Sequence, residues 1–305
     1  MNPPPPITLL IPCYNAAQFL PRILEQVRAQ TQPFAAVIGY DDGSTDATAQ
    51  VAAQLGLPLL GPNANRGVAY ARNRLVDAVQ TEWFHFHDAD DLIDPRFVER
   101  LGGLLSDDCD VVSCDADWLD ETNRELQISW RYDAAALASD PAGHLLERAM
   151  GLNNSVIRAS AWRRIGGCDE SLRMWEDADS HIRLALDGAR WRHVPEVLTY
   201  SLRRPESFSH DYRESWLCRL AALEKYCAMP GARHRAILAA EAERAAGELM
   251  LWQDRPAARR ALALCRRMGG NPPTTSSPLF RALKPWVPAL TLLHWQGQRR
   301  RRARS

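Results

Sequence analysis

The chain has 305 residues, 46% hydrophobic and 24% charged, an ordinary globular composition whose length suits one large domain with an extension, or two domains. Lys+Arg and Asp+Glu each total 37, so the formal net charge is zero and the whole-chain balance argues neither for nor against an anionic partner. The charge is unevenly placed, with 299–304 almost all arginine and acidic clusters in mid-chain.

Seven cysteines form no C-x-x-C pair and no Cys/His zinc spacing, which reads as reduced thiols in a reducing, cytoplasmic compartment. The start "MNPPPPITLLIP" lacks the basic n-region and long apolar h-region of a signal peptide. No apolar run approaches the length of a membrane-spanning helix; "WVPALTLLHW" comes nearest, and it is short and carries prolines within and near it.

In chain order, Ile7 to Ile11 is an apolar run bounded by prolines, which predicts a buried strand. Ala16 to Ala29 sets Phe19, Leu20, Ile23, Leu24 and Val27 at helical spacing. Val37 to Tyr40 reads as a second strand; in the "DDGSTDAT" that follows, Ser44, Thr45 and Asp46 are good starters for a helix over 47–55. Leu57 to Leu60 is a third strand, "GPNANRG" a loop, 68–79 a helix and Trp83 to His87 a fourth strand. Asp94-Pro95 reads as N-cap and first turn of a helix that buries Phe97, Val98, Leu101, Leu104 and Leu105, and Asp110 to Ser113 as a further strand. This alternation predicts an α/β fold with a largely parallel sheet, which binds ligands beyond the carboxyl ends of its strands. Three polar clusters fall at such ends, "PCYN" at 12–15, "DDGS" at 41–44 and "DADD" at 88–91. No G-x-G-x-x-G follows the first strand, and no G-x-x-x-x-G-K-[ST] occurs.

The stretch "HFHDADDLIDPRF" at 85–97 crowds Asp88, Asp90, Asp91 and Asp94 onto the end of an apolar strand. A bend there would bring Asp88 and Asp90 to one point, where Mg²⁺ or Mn²⁺ takes oxygen ligands and leaves positions for phosphate. Helix capping explains Asp94, and stays open for Asp90 and Asp91. Glu176 and Asp177 open a helix whose apolar positions follow at Ile182, Leu184, Ala185 and Leu186. Acidic residues belong there by the helix dipole alone; in a crevice with a metal–diphosphate cluster, a second carboxylate would also serve as general base. His85 and His87 read as core residues. Trp118, Trp130 and Trp175 are candidates for a sugar platform, Trp175 the foremost.

Five segments, "ITLLIPCYNAAQFLPRILEQVRAQT", "DDGSTDAT", "NRGVAYARN", "DADDLIDPRFVERL" and "GGCDESLRMWEDADSHIRL", together resemble the family 2 inverting glycosyltransferases of GT-A fold, in order and spacing, from about Ile7 to about His210. The resemblance implies a Rossmann-like sheet flanked by helices over 1–210. Outside it, Ala/Arg/Leu-rich segments of helical period predict a helical extension over 211–270, and "GGNPPTTSSP" reads as a linker into a tail, the two together covering 271–305. It implies a nucleotide-sugar site of Pro12, Tyr14, Asp41, Asp42, Arg72, Asp88, Ala89 and Asp90, with Tyr14 against the base and Asp41 or Asp42 hydrogen-bonding it. Asp88, Asp90 and His210 would hold a divalent cation, Mg²⁺ or Mn²⁺. Asp177 would be the catalytic base with Glu176 beside it, and Arg203, Arg204 and His210 fall in a loop that in relatives closes over the diphosphate. Processive members carry Q-x-x-R-W and membrane helices; "DGARW" at 187–191 lacks the glutamine, so a non-processive enzyme of surface-polysaccharide or glycolipid synthesis is expected.

Its partners would be a nucleotide-sugar donor and a glycan or lipid-linked acceptor, with no nucleic acid. A sugar-phosphate nucleotidyltransferase is the alternative enzyme, but "IPCYNAAQF" has neither its Gly-rich loop nor its basic residue. A catalytically silent nucleotide-sugar-binding partner is the alternative from another class, opposed by the intact Asp88, Asp90 and Asp177. In the tail, Phe280, Leu283, Trp286, Val287, Leu290, Leu293, His294 and Trp295 precede the arginines, the pattern of a chain lying on an anionic, cytoplasmic membrane face. A final helix packed on the catalytic domain, with a disordered, solvated basic end, explains the same residues.

Overall fold

Strand β1 (Ile7–Cys13) is apolar over nearly its whole length and all but one of its residues are buried, as expected for a strand covered on both faces. The computed structural model describes residues 5–61, 64–204, 211–229, 233–274 and 278–302. β1 pairs in parallel with β2 (Ala36–Asp41), which carries the short β3 (Leu59–Leu60), and on its other side with β4 (Trp83–Phe86). Helices α1 (Leu20–Arg28), α2 (Thr48–Leu55) and α3 (Val68–Asp77) lie between these strands in sequence, and α1 buries Leu20, Ile23 and Leu24. The register sets Cys13 against Asp41 and Leu10 against Phe86, so the chain leaves β1, β2 and β4 at one end of the sheet. The three polar clusters are delivered there.

The same unit, 1–207, continues through β5 (Leu92–Ile93), α4 (Phe97–Gly102), β6 (Val111–Asp120), β7 (Leu126–Trp130), α5 (Ala134–Ser139), α6 (Pro141–Glu147), β8 (Ser155–Arg158), α7 (Ala159–Arg164), α8 (Glu176–Leu186) and β9 (Trp191–Arg203). Strand order is β3-β2-β1-β4-β8-β6-β9-β5, with β7 on β6. The α/β class is the expected one, but parallel pairing is confined to β3-β2-β1-β4 and β6–β9; the other four pairings are antiparallel. Helical crossovers return strands parallel, whereas β6 and β7 are joined by a short turn that reverses the chain.

Two local expectations shift. Asp94 does not cap the next helix: its carboxylate accepts the Arg96 N–H at 2.8 Å in a turn, and α4 starts at Phe97. β6 runs well past Ser113, because its aspartates find partners. Asp115 accepts the Tyr132 N–H at 3.0 Å and contacts His193, and Asp117 pairs with Arg131 at 2.7 Å. All seven cysteines are buried as free thiols, and His85 and His87 are fully buried, as expected for core histidines.

The second unit, 208–305, contains α9 (Tyr212–Ala228), α10 (Arg235–Leu251), α11 (Arg255–Arg267), α12 (Pro278–Leu283) and α13 (Ala289–Arg302). α10 packs against α9, α11 and α13; its Ala242, Ala245 and Ala246 are fully buried, and such small side chains let helices approach closely. A buried ion pair, Arg219 with Glu241, joins α9 to α10. The linker expected from "GGNPPTTSSP" is packed where it is described: Pro272 and Pro273 are buried, and the Thr274 hydroxyl donates to Glu243 at 2.8 Å. No helix among the described residues is long and apolar enough to cross a membrane.

Candidate active site

The loops after β1 and β2 are knitted together. The Asn15 N–H donates to Ser44 Oγ at 2.9 Å, the Thr45 N–H to Asn15 Oδ1 at 2.8 Å, and the Ala16 N–H to Thr48 Oγ1 at 2.8 Å. Gly43 makes the bend: its φ is +77°, and a Cβ there would lie 2.5 Å from the Asn65 nitrogen, so only glycine fits. Tyr14 stands 53% exposed at the rim. The neighbours Asp41 and Asp42 differ sharply. Asp42 is 3% exposed and both its oxygens accept backbone N–H groups, from Arg66 at 2.9 Å and Gly67 at 2.7 Å, which fixes the entry to α3. Asp41 is half-buried and accepts the Ser44 N–H at 2.9 Å.

The acidic run after β4 also divides by role. Asp91 is buried and takes hydrogen bonds from Asn153, from Ser201 at 2.8 Å and from the Leu202 N–H at 2.9 Å, tying the turn to β9. Burial pushes its carboxyl well above the usual range, and Asp90 and Asp88 add to the push. Asp88 and Asp90 are about one-third exposed (33% and 32% of the side chain) and each meets an arginine: Arg72 at 2.9 Å from Asp88, and Arg204 beside Asp90. Arg22 donates to the Asp90 carbonyl at 2.5 Å, and Ala89 between the two aspartates is buried.

Arg72 joins this cluster to the second one. It is buried in α3, and its other nitrogen lies 2.5 Å from Glu176 at the start of α8. Burial works against the guanidinium charge, but Asp88 and Glu176 outweigh it and hold its pKa above the ordinary value. Burial lifts the Glu176 carboxyl to about 7 against the pull of Arg72, with Asp177 and Asp88 raising it further. It also raises the Asp177 carboxyl, opposed by Arg72 and by the Ala178 N–H that donates to it at 2.7 Å. Trp175, just before the pair, has φ +71°, a left-handed conformation rare for a bulky residue and typical of strained functional sites.

Residues the sequence reading passed over hold this arrangement. Asn73, next to Arg72, accepts the Cys168 N–H at 2.8 Å and donates to the Cys168 carbonyl at 3.0 Å and to Glu170 at 2.9 Å. Arg183 reaches back from α8 to the carbonyls of Ile165 at 2.8 Å and Gly167 at 2.6 Å. The "ARN" segment carried the signal for Asn73; nothing local marked Arg183.

The donor set suits a hard divalent cation. Asp88 and Asp90 offer carboxylate oxygens at one strand end, and two arginines already balance their charge. No group of three His, Cys, Asp or Glu among the described residues could hold an ion, and His210 lies outside the described residues. Two carboxylates completed by phosphate oxygens and water is an ordinary Mg²⁺ environment.

Residues 8–165 match the profile described as "Glycosyl transferase family 2". The chain belongs to that family. It is 35% identical over 200 residues to the uncharacterised glycosyltransferase YibD of Escherichia coli, a match covering 64% of this chain and 48% of that protein, so the chain spans about half the length of this relative. It is 28% identical over 236 residues to the succinoglycan biosynthesis protein ExoU of Rhizobium meliloti, covering 71% and 68%. In structure it resembles the mannosyltransferase PcManGT of Pyrobaculum calidifontis, in complex with GDP-Man and Mn²⁺. The TM-score there is 0.63 at 18% identity, over 96% of this chain and 86% of that one, and the likeness supports a GT-A fold.

Proposed function

We propose that this family 2 chain transfers a single sugar from a nucleotide-diphosphate sugar to an acceptor hydroxyl, with inversion, in synthesis of a surface polysaccharide or glycolipid at the cytoplasmic side of the membrane. The observation that carries the reading is Arg72, whose one guanidinium touches Asp88 of the first acidic cluster and Glu176 of the second, so both clusters belong to one site. Tyr14, Pro12 and Asp41 would receive the nucleotide. Asp42 would shape that loop from behind, since its oxygens are occupied by backbone.

Asp88 and Asp90 would hold Mg²⁺ or Mn²⁺, which supplies positive charge to the departing diphosphate. Asp177 would take the proton of the acceptor hydroxyl, and its raised pKa makes it a stronger proton acceptor than an ordinary aspartate. The acceptor oxygen would form its bond to the anomeric carbon from the face opposite the nucleotide. The bond to the diphosphate breaks with its electron pair, and the configuration inverts. Glu176, held by Arg72, would position α8 rather than react. The Mn²⁺ and GDP-Man bound by PcManGT and the part ExoU takes in succinoglycan biosynthesis support donor class, cation and product class alike.

The test is a thermal-shift panel of nucleotide sugars with Mn²⁺, followed by turnover of the best donor. The expected result is one stabilising donor whose sugar is transferred, and a kcat lowered roughly 10²–10⁴-fold by Asp177→Asn with donor binding kept. A donor that binds the native chain but is never turned over would leave only a silent binding partner. Turnover within a few-fold of native in Asp177→Asn would remove it as the base.

A further inference from the structure

We infer that the turn between α12 and α13, with the basic end of α13, is a docking surface for an anionic lipid bilayer. Three tryptophans are exposed among the described residues, and two of them, Trp286 and Trp295, lie on this segment at 85% and 44% exposure. Leu279, on the preceding helix α12, is 60% exposed. Single exposed apolar side chains are ordinary on soluble surfaces, but a tryptophan open to this extent has given up most of its burial. Nothing about the backbone compels it. The turn is ordered: the Trp286 and Val287 N–H groups both donate to the Leu283 carbonyl, at 3.0 and 2.9 Å, and Lys284 anchors to the Asn271 carbonyl at 2.5 Å. Pro285 and Pro288 bracket Trp286 and restrict the turn further.

The segment is also held to its own unit. Leu292 and Leu293 of α13 are buried, and α13 packs on α10. The structure therefore divides the tail's apolar residues: Leu292 and Leu293 are anchors, while Leu279, Trp286 and Trp295 face outward. Packing of the last helix on α10 and exposure of the aromatics occur together.

Charge identifies the partner. Five of the six residues at 299–304 are arginine, in a chain whose formal net charge is zero. Complementing a helix C-terminus takes one or two cations in the last turn, so the run exceeds that need. Tryptophan settles at the headgroup level of a bilayer, and each basic residue near an anionic leaflet strengthens binding about fivefold. Nucleic acid would answer the arginines but gives no reason for Trp286 to stand 85% exposed, with Leu279 of α12 at 60%.

The experiment is co-sedimentation of the full chain with neutral phosphatidylcholine vesicles and with vesicles containing about a third phosphatidylserine, in low and high salt. Three chains are compared: native, Leu279→Ser with Trp286→Ser, and glutamine at all of Arg299, Arg300, Arg301 and Arg302. The substituted apolar side chains are exposed, and circular dichroism confirms the fold of each variant. Native protein is expected to bind the anionic vesicles, weaken with salt and show a blue-shifted tryptophan emission. The serine variant should bind roughly tenfold more weakly and lose the shift, and the glutamine variant should lose binding more than 100-fold. No sedimentation of native protein overturns the inference. So does equal binding by the serine variant, or displacement from vesicles by single-stranded RNA whose own binding ignores Trp286. Donor binding and transfer are measured separately, so failure here leaves the proposed reaction standing, and the converse.

Discussion

Asp41 and Asp42 stand side by side in sequence and have been given different work by the fold. Asp42 closes a backbone loop with both oxygens, and Asp41 keeps the edge of the crevice. Asp42→Asn puts an amide N–H against a backbone N–H in a buried place. It should cost about 1–3 kcal/mol, read as a clear drop in Tm, with nucleotide affinity following only through the loop. Asp41→Asn should leave Tm nearly unchanged and weaken nucleotide binding roughly tenfold or more in titration calorimetry. A large Tm loss for Asp41→Asn with intact binding would exchange the two roles. Sequence alone left them interchangeable, because two adjacent carboxylates at a strand end look the same until the loop at 64–67 folds back onto one of them.

Elements were legible where periodicity was strong and became obscure where pairing is long-range. β1, α1, α3 and β4 followed from apolar spacing, and the convergence of their loops followed from the parallel register. The short strands β5, β7 and β8 were not read, since they are fixed by long-range pairing, β8 with β4 and β6, β7 with β6 and β5 with β9, rather than by any pattern of their own. The Asp88–Asp90 and Glu176–Asp177 clusters were visible in sequence, but not the guanidinium that joins them. That contact depends on α3 and on the segment 165–175, which Asn73 and Arg183 hold in shape. Asn73→Ala should therefore loosen the start of α8, lowering kcat roughly tenfold while the donor KM changes less. Gly167→Ala should give the same phenotype, because φ there is +78° and a Cβ would lie 2.4 Å from Asn73 Oδ1. The double variant should be far less than additive in kcat. Additive losses would mean that the two act separately.

Across the whole first unit, buried imidazoles set an acid limit. His181 is fully buried between the Ser155 hydroxyl at 2.8 Å and the Met150 carbonyl at 3.1 Å, and burial depresses its pKa to about 4. The unfolded chain titrates it near 6.5, so below that pH the unfolded state binds a proton that the folded state refuses. The neutral form's stabilisation is complete above about 6.5, falls as pH drops and is gone below about 4, a loss on the order of 3 kcal/mol. Urea unfolding from pH 7 to pH 4 should show this slope, and His181→Gln should flatten it. An unchanged slope in the variant would assign the acid sensitivity elsewhere.

The seven buried thiols have a practical consequence. Burial raises Cys13 and Cys168 to about 12 and Cys265 to about 11, and lifts Cys114 and Cys227 as well, so these five hold almost no thiolate near neutrality, and all seven are shielded from reagents by burial. The folded chain should consume much less than one equivalent of an alkylating reagent or Ellman's reagent until denaturant is added. A cysteine placed at an exposed position such as Ala53 would then be the single fast-reacting site. Fluorophores and crosslinkers could be attached there without first stripping the native cysteines from the core.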